Sequence, residues 1–139
     1  MKKNIILIFT DNQQASTLGC YGNKEIYTPN LDQLSAESVT FDNAYCPNAF
    51  CSPCRASLLT GLLPSQHGVH SWIDTRKKED WPLGWHALDG LRTLPMSLSE
   101  NGYKTALIGK YHLGETETPM PGFDHWVTME DGHVRSFYR

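Results

Sequence analysis

Cysteine is scarce in this chain: Cys20, Cys46, Cys51 and Cys54 are the only four in 139 residues. That is too few, and too clustered, for the disulfide framework of a small secreted domain. Long hydrophobic runs are missing too. The opening stretch Ile5-Ile6-Leu7-Ile8-Phe9 stops at Thr10-Asp11, whereas a membrane span needs ~20 apolar residues and a secretory leader needs a longer apolar region with a small-residue cleavage site. The sequence as given is therefore expected to be cytoplasmic, with no membrane partner. Basic charge is also in short supply. Twelve Lys and Arg face fifteen Asp and Glu, a net charge of −3, and the one dense basic run, Arg76-Lys77-Lys78, is followed at once by Glu79-Asp80. Nucleic acid and anionic lipid are excluded as expected partners. No low-complexity tract or internal repeat occurs, which removes disorder and solenoid architectures.

What is present is an ordinary globular composition, 40% hydrophobic and 19% charged with 11 Gly and 8 Pro. A chain of this length is the size of one domain and buries about two-thirds of its unfolded surface. Asn4 to Phe9 is an apolar, β-branched run suited to a strand covered on both faces, with Asp11 just past its end. Thr28-Pro29-Asn30-Leu31 has the form of a helix start, Thr28 as N-cap and Pro29 at the first helical position, with Leu31, Leu34 and Ser35 turned to the core. Val39-Thr40-Phe41 reads as a second strand. Pro53 to Leu62 has a helical pattern ended by Gly61 before Pro64. Leu94 to Asn101 reads as a short helix closed by Gly102, and Tyr103 to Ile108 as a third strand leading to Gly109-Lys110. This order predicts an α/β fold with a mainly parallel sheet flanked by helices. Ligands in such sheets gather beyond the carboxyl ends of the strands, which singles out Asp11-Asn12, the segment around Cys51, and Lys110 to His112. Ser71 to Gly90, with Trp72, Trp81 and Trp85, is read as a substrate-side loop; its aromatics suit either stacking on a ring or packing.

The densest chemistry lies in Cys51-Ser52-Pro53-Cys54-Arg55-Ala56-Ser57-Leu58-Leu59-Thr60-Gly61. A nucleophile stands there at the mouth of a helix, where unpaired N–H groups and the positive end of the dipole favour an anion. Pro53 fits the first turn, where a missing N–H costs nothing, and Arg55 adds a fixed cation one turn in. Taken alone, Cys51-x-x-Cys54 also matches a thioredoxin-like redox pair. Cys46, Cys51 and Cys54 have the spacing of a plant-type ferredoxin, but no fourth cysteine follows. Asp11 alone reads equally as a cap, Lys110 and His112 alone as loop residues. His67, His70, His86, His125 and His133 are assigned to structure or to the substrate side, since no pair has zinc spacing. Cys20 and Cys46 read as small apolar residues.

The whole string resembles the signature of the sulfatase family, C-x-P-x-R followed by T-G. Ile5 to Asp11-Asn12 is similar to the family's first strand and acidic metal-binding pair. Thr28-Pro29-Asn30-Leu31-Asp32 resembles its T-P-N-L-D segment, Gly109-Lys110-Tyr111-His112-Leu113-Gly114 its G-K-W-H-L-G motif, and Gly122-Phe123-Asp124 matches in style. The resemblance implies an alkaline phosphatase-like α/β fold, residues 1–139 being the N-terminal part of a sulfatase catalytic domain. It implies that a formylglycine-generating maturation enzyme converts Cys51 to formylglycine. Asp11 and Asn12, with an oxygen of the modified Cys51, would ligate a divalent cation, calcium or else magnesium. Arg55 would hold the formylglycine hydrate, Lys110 would bind the sulfate, and His112 would hydrogen-bond the hydroxyl that does not attack. The substrate would be a small sulfate ester or a sulfated sugar, cleaved by attack of a metal-activated hydrate on sulfur.

Three departures carry expectations of their own. Asn12 stands where the family more often has Asp, giving one charge fewer. Cys54 replaces a frequent Ser. Family members are several times longer, and no counterpart of their later metal ligands follows Asp131, so the chain by itself is expected to be inactive. The rival readings are a phosphonate monoester or phosphodiester hydrolase of the same superfamily, an inactive fragment, and a Cys51–Cys54 redox protein.

Overall fold

The computed structural model describes residues 2–129, and the chain divides into two units, Met1–Tyr45 and Cys46–Arg139. His133 and the stretch after Asp131 lie outside the described residues.

In the first unit the Thr28-Pro29 signal does produce a helix, α1, Pro29–Ala36. Thr28 flanks it without capping its N–H groups through the side chain. Its hydroxyl accepts the Gly19 N–H at 2.9 Å and donates to Asp32 Oδ1 at 3.1 Å, while that same carboxylate oxygen accepts the Cys20 N–H at 2.7 Å. Thr28 and Asp32 thus clamp the 3-10 turn at Gly19–Tyr21, which follows a similar turn at Ala15–Thr17, onto α1. A Cβ at Gly19 would meet Asp32 Oδ1 at 2.7 Å, so the turn comes close enough only because it carries glycine.

Two expectations for this unit are not met. Asn4 to Phe9 and Val39 to Phe41 form no ladder, since the one sheet among the described residues lies in the second unit. Leu31 and Leu34 are exposed, and α1 buries no residue. The reason is common to both: a strand needs a neighbour for its backbone groups, and a 45-residue unit has too little chain to enclose a core. Ile6 and Ile8 are 85% and 81% exposed.

The second unit holds the core. Helix α2 spans Cys51–Thr60 and ends at Gly61, whose left-handed φ of 72° lets its N–H return to the Ser57 carbonyl. Helix α3 is one turn, Pro64–His67, and α4 spans Leu94–Glu100. The expected third strand is realised three residues later than its pattern begins, as β1, Ala106–Gly109, which pairs in parallel with β2, His125–Thr128. The displacement has a cause in the Gly122-Phe123-Asp124 motif. Asp124 Oδ2 accepts the Thr105 N–H at 2.9 Å, and the Asp124 and His125 N–H groups both donate to the Thr105 carbonyl. Residue 105 is therefore the anchor and the ladder starts after it. Lys104, bonded to Asp124 at 2.8 Å, holds the carboxyl below its usual range together with the Thr105 N–H.

Buried Ala56, Val69, Leu88, Tyr111, Leu113 and Met120 form the core, with Leu59, Ile73, Leu107 and Trp126 packed on it. Tyr111 meets Trp126 edge-on with ring centroids 4.8 Å apart. The core is thus built around the segment just after β1, and a helix-flanked parallel pair carries it, a part of the expected α/β layer.

Candidate active site

The entry to α2 is prepared locally. Asn48 Oδ1 accepts the Phe50 N–H at 2.8 Å, an Asx turn that leads into an extended Phe50 (φ −81°, ψ 147°). Cys51 is then the first residue of a ten-residue helix, half-buried, with the first-turn N–H groups around it. Pro53 and Ser52 are fully enclosed. The expected place of Cys51 at a helix mouth is the arrangement found.

Four of the six expected site residues, Cys51, Arg55, Lys110 and His112, lie in the second unit. Arg55 Nη1 donates to the Lys110 carbonyl at 2.6 Å, so the cation one turn into α2 also fixes the loop after β1. Gly109 leaves the strand with φ 116° and His112 follows with φ 58°, a left-handed conformation uncommon for a residue with a side chain. Such strain persists where the surroundings impose it. Here Tyr111 and Leu113 on either side are buried in the core. Beyond them Gly114 pairs with His86, and the Ala87 and Glu115 N–H groups donate to the carbonyls of Leu113 and Trp85. A Cβ at Gly114 would approach His86 Cα to 2.8 Å. The six-residue motif thus divides its labour: glycines turn and admit neighbouring backbone, Tyr111 and Leu113 anchor, and Lys110 and His112 are the polar residues so held.

His112 is completely buried. Its Nε2 bonds the Ile73 carbonyl at 3.0 Å, and the edge of Trp72 packs against its ring at 5.7 Å. Trp72 and Ile73 come from the stretch read as a substrate-side loop, which here serves at least to support His112. Trp81 and Trp85 pack on each other, centroids 4.9 Å apart.

Asp11 and Asn12, the other two expected residues, are in the first unit, exposed and just after the apolar run. Asn12 has φ 55°, which Asn tolerates better than most residues. Their hard oxygen donors are of the kind calcium or magnesium takes. Calcium fills six to eight oxygen positions, more than this pair offers by itself. Among the described residues no three His, Cys, Asp or Glu side chains converge as a metal cage.

The other titratable groups settle into structural roles. Burial above all pushes the Cys54 thiol up to about 11, so Cys54 stays protonated at neutral pH. His67 Nδ1 accepts the Val69 N–H at 3.1 Å, which leaves Nε2 to donate to Ser57 at 3.0 Å. His86 shares a hydrogen bond with Tyr111 at 3.1 Å. Burial lowers the pKa of both histidines and raises that of Tyr111. Sequence reasoning missed Ser52, which accepts the Ile73 N–H at 3.1 Å. Its place beside Cys51 was visible, but its partner 21 residues away was not.

Comparison with known proteins gives these features a common context. The Sulfatase family profile matches residues 3–136. The chain is 35% identical over 137 residues to the N-acetylglucosamine-6-O-sulfatase of Bacteroides thetaiotaomicron, covering 99% of this chain and 22% of that protein. It is 36% identical over 135 residues to human N-acetylgalactosamine-6-sulfatase, covering 94% of this chain and 26% of the relative. Among solved structures, one described as in complex with its substrate D-glucosamine-2-N,6-O-disulfate superposes with a TM-score of 0.71 at 36% identity, over 88% of this chain and 22% of that one. The chain therefore spans about a quarter of the length of the relatives it matches. The chain belongs to the sulfatase family.

Proposed function

We propose that this chain supplies the nucleophile end of a sulfate-ester hydrolase active site, with Cys51 converted to formylglycine and a sulfated sugar as substrate. The observation that carries the reading is the tie between α2 and the loop after β1. Arg55, one turn beyond Cys51, holds the Lys110 backbone at 2.6 Å, so the nucleophile, two cations and a buried histidine belong to one rigid construction. A sulfuryl group presents three oxygens and gains charge on them as the ester bond breaks, and fixed positive groups stabilise that change without reorganising. Lys110 binds a sulfuryl oxygen, Arg55 orients residue 51 and offsets charge beside it, and His112 accepts the proton of the hydroxyl that does not attack. Asp11 and Asn12 would hold part of a divalent-cation shell, their oxygen donors suiting a hard cation such as calcium or magnesium. Formylglycine and the cation together supply an activated oxygen nucleophile at neutral pH. A sulfated sugar is favoured by the substrate named for the similar solved structure.

The test is a peptide-mass analysis of the Cys51 peptide from protein produced with a formylglycine-generating enzyme, alongside sulfate release by the full protein. Conversion of thiol to aldehyde lowers the mass by ~18 Da, and Cys51→Ala is expected to abolish sulfate release. A Cys51 that stays a thiol in fully active protein sinks the proposal.

A further inference from the structure

The backbone of Ile73 stands between two buried side chains. Its N–H donates to Ser52 Oγ at 3.1 Å, and its carbonyl accepts from His112 Nε2 at 3.0 Å. Ser52 and His112 are both 0% exposed, and Ile73 itself packs against the core. Ser52 is the residue next to Cys51 and belongs to the first turn of α2. One residue of a distant loop thereby links the neighbour of the nucleophile to the histidine of the loop after β1.

The chemistry of the link is directional. A carbonyl oxygen only accepts, so the Nε2 facing it carries the proton. In the neutral ring Nδ1 is then the basic nitrogen. The second support is steric: Trp72, the residue before Ile73, sets its edge against the His112 ring with planes at 74°. The ring is thus held in one tautomer and one orientation by residues 72 and 73, and Ile73 is held in turn by Ser52.

We propose that Ser52 is a positioning residue for His112, acting through Ile73. The inference rests on the reading of His112 as the proton acceptor in sulfate-ester hydrolysis. Without the Ser52 hydroxyl, the Ile73 N–H loses its buried acceptor and the carbonyl on the same residue is no longer fixed. His112 then samples the other tautomer, in which Nδ1 carries the proton and cannot take one. A serine that merely satisfied a buried N–H would affect stability and leave the tautomer and turnover alone.

Two measurements on the full protein decide this. The first is the ring 15N spectrum of His112 in protein labelled at histidine, which needs no variant: an Nε2-protonated neutral ring is expected, and an Nδ1-protonated ring overturns the proposal. The second compares Ser52→Ala with Ser52→Thr, which retains an acceptor oxygen. In Ser52→Ala the single-tautomer signature is expected to be lost and kcat to fall about 10- to 100-fold, the usual range for loss of an orienting partner, with KM within about twofold. Ser52→Thr is expected to recover the signature and most of kcat. A Ser52→Ala protein that keeps both the signature and the parental kcat overturns the proposal. Protein that shows the signature, loses it in Ser52→Ala and yet hydrolyses no sulfate ester in either form supports the positioning contact and overturns the catalytic reading of His112.

Discussion

In the first unit Ile5 to Phe9 stand open to solvent and α1 buries nothing, while in the second Tyr111, His112 and Leu113 are sealed within a few residues of β1. Both stretches carry a family motif next to an apolar segment. The difference lies in what surrounds them. The Gly109–Gly114 loop finds α2, residues 85–87 and β2 within its own unit. The Asp11-Asn12 pair sits at the end of a run with no strand partner of its own. What is organised in the first unit is polar and local: Thr28 and Asp32 clamping the turn at Gly19–Tyr21. A short segment can satisfy hydrogen bonds alone, but burying apolar area needs more chain.

The contrast can be broken most strongly at Leu113. Leu113→Ala removes a fully buried side chain and is expected to cost about 3 kcal/mol. Leu34→Ala on α1, 58% exposed, is expected to change stability of the 139-residue chain by under about 0.5 kcal/mol. Urea unfolding of the two variants makes the comparison, and equal losses would contradict the division drawn here. Next is Gly114→Ala. It adds a Cβ within 2.8 Å of His86 Cα at a φ of 138° and is expected to cost about 2 kcal/mol, read as a fall in thermal midpoint.

A smaller effect sharpens the other side. Thr28→Ala removes the acceptor of the Gly19 N–H and is expected to cost about 1 kcal/mol. The loss should appear as faster hydrogen exchange at Gly19 and Cys20, with the second unit's amides unchanged. The smallest concerns pH. Burial lowers the pKa of His67 and His86, so between the folded and the unfolded values the unfolded state binds more protons. Their contribution is complete above the unfolded value of about 6.5 and is lost as pH falls towards the folded values. A thermal midpoint that drops on acidification below that point, less so in His67→Gln, is the expected result.

Much of the site was legible residue by residue. Helix α2 begins at Cys51, ahead of the Pro53 start that its pattern suggests, whereas Gly61 at its end and the turn at Gly109 followed from local rules that need only neighbouring residues. The helix start at Pro29 did as well. Its buried face did not, because burial depends on what lies opposite. The strand expected from Tyr103 began at Ala106, since Asp124 takes residue 105 for its own hydrogen bonds. Ser52 was unreadable for the same reason, its partner being a backbone group 21 positions away.

The sequence by itself determined a helix mouth near Cys51 with Arg55 one turn beyond, because backbone dihedrals and dipoles are set within a few residues. It also determined the glycines that let backbone approach backbone. Only the tertiary structure decided that Arg55 reaches the Lys110 carbonyl and that Ile73 holds the Nε2 of His112. Those contacts join segments far apart in the chain, and no local preference encodes which distant carbonyl a buried polar group will meet.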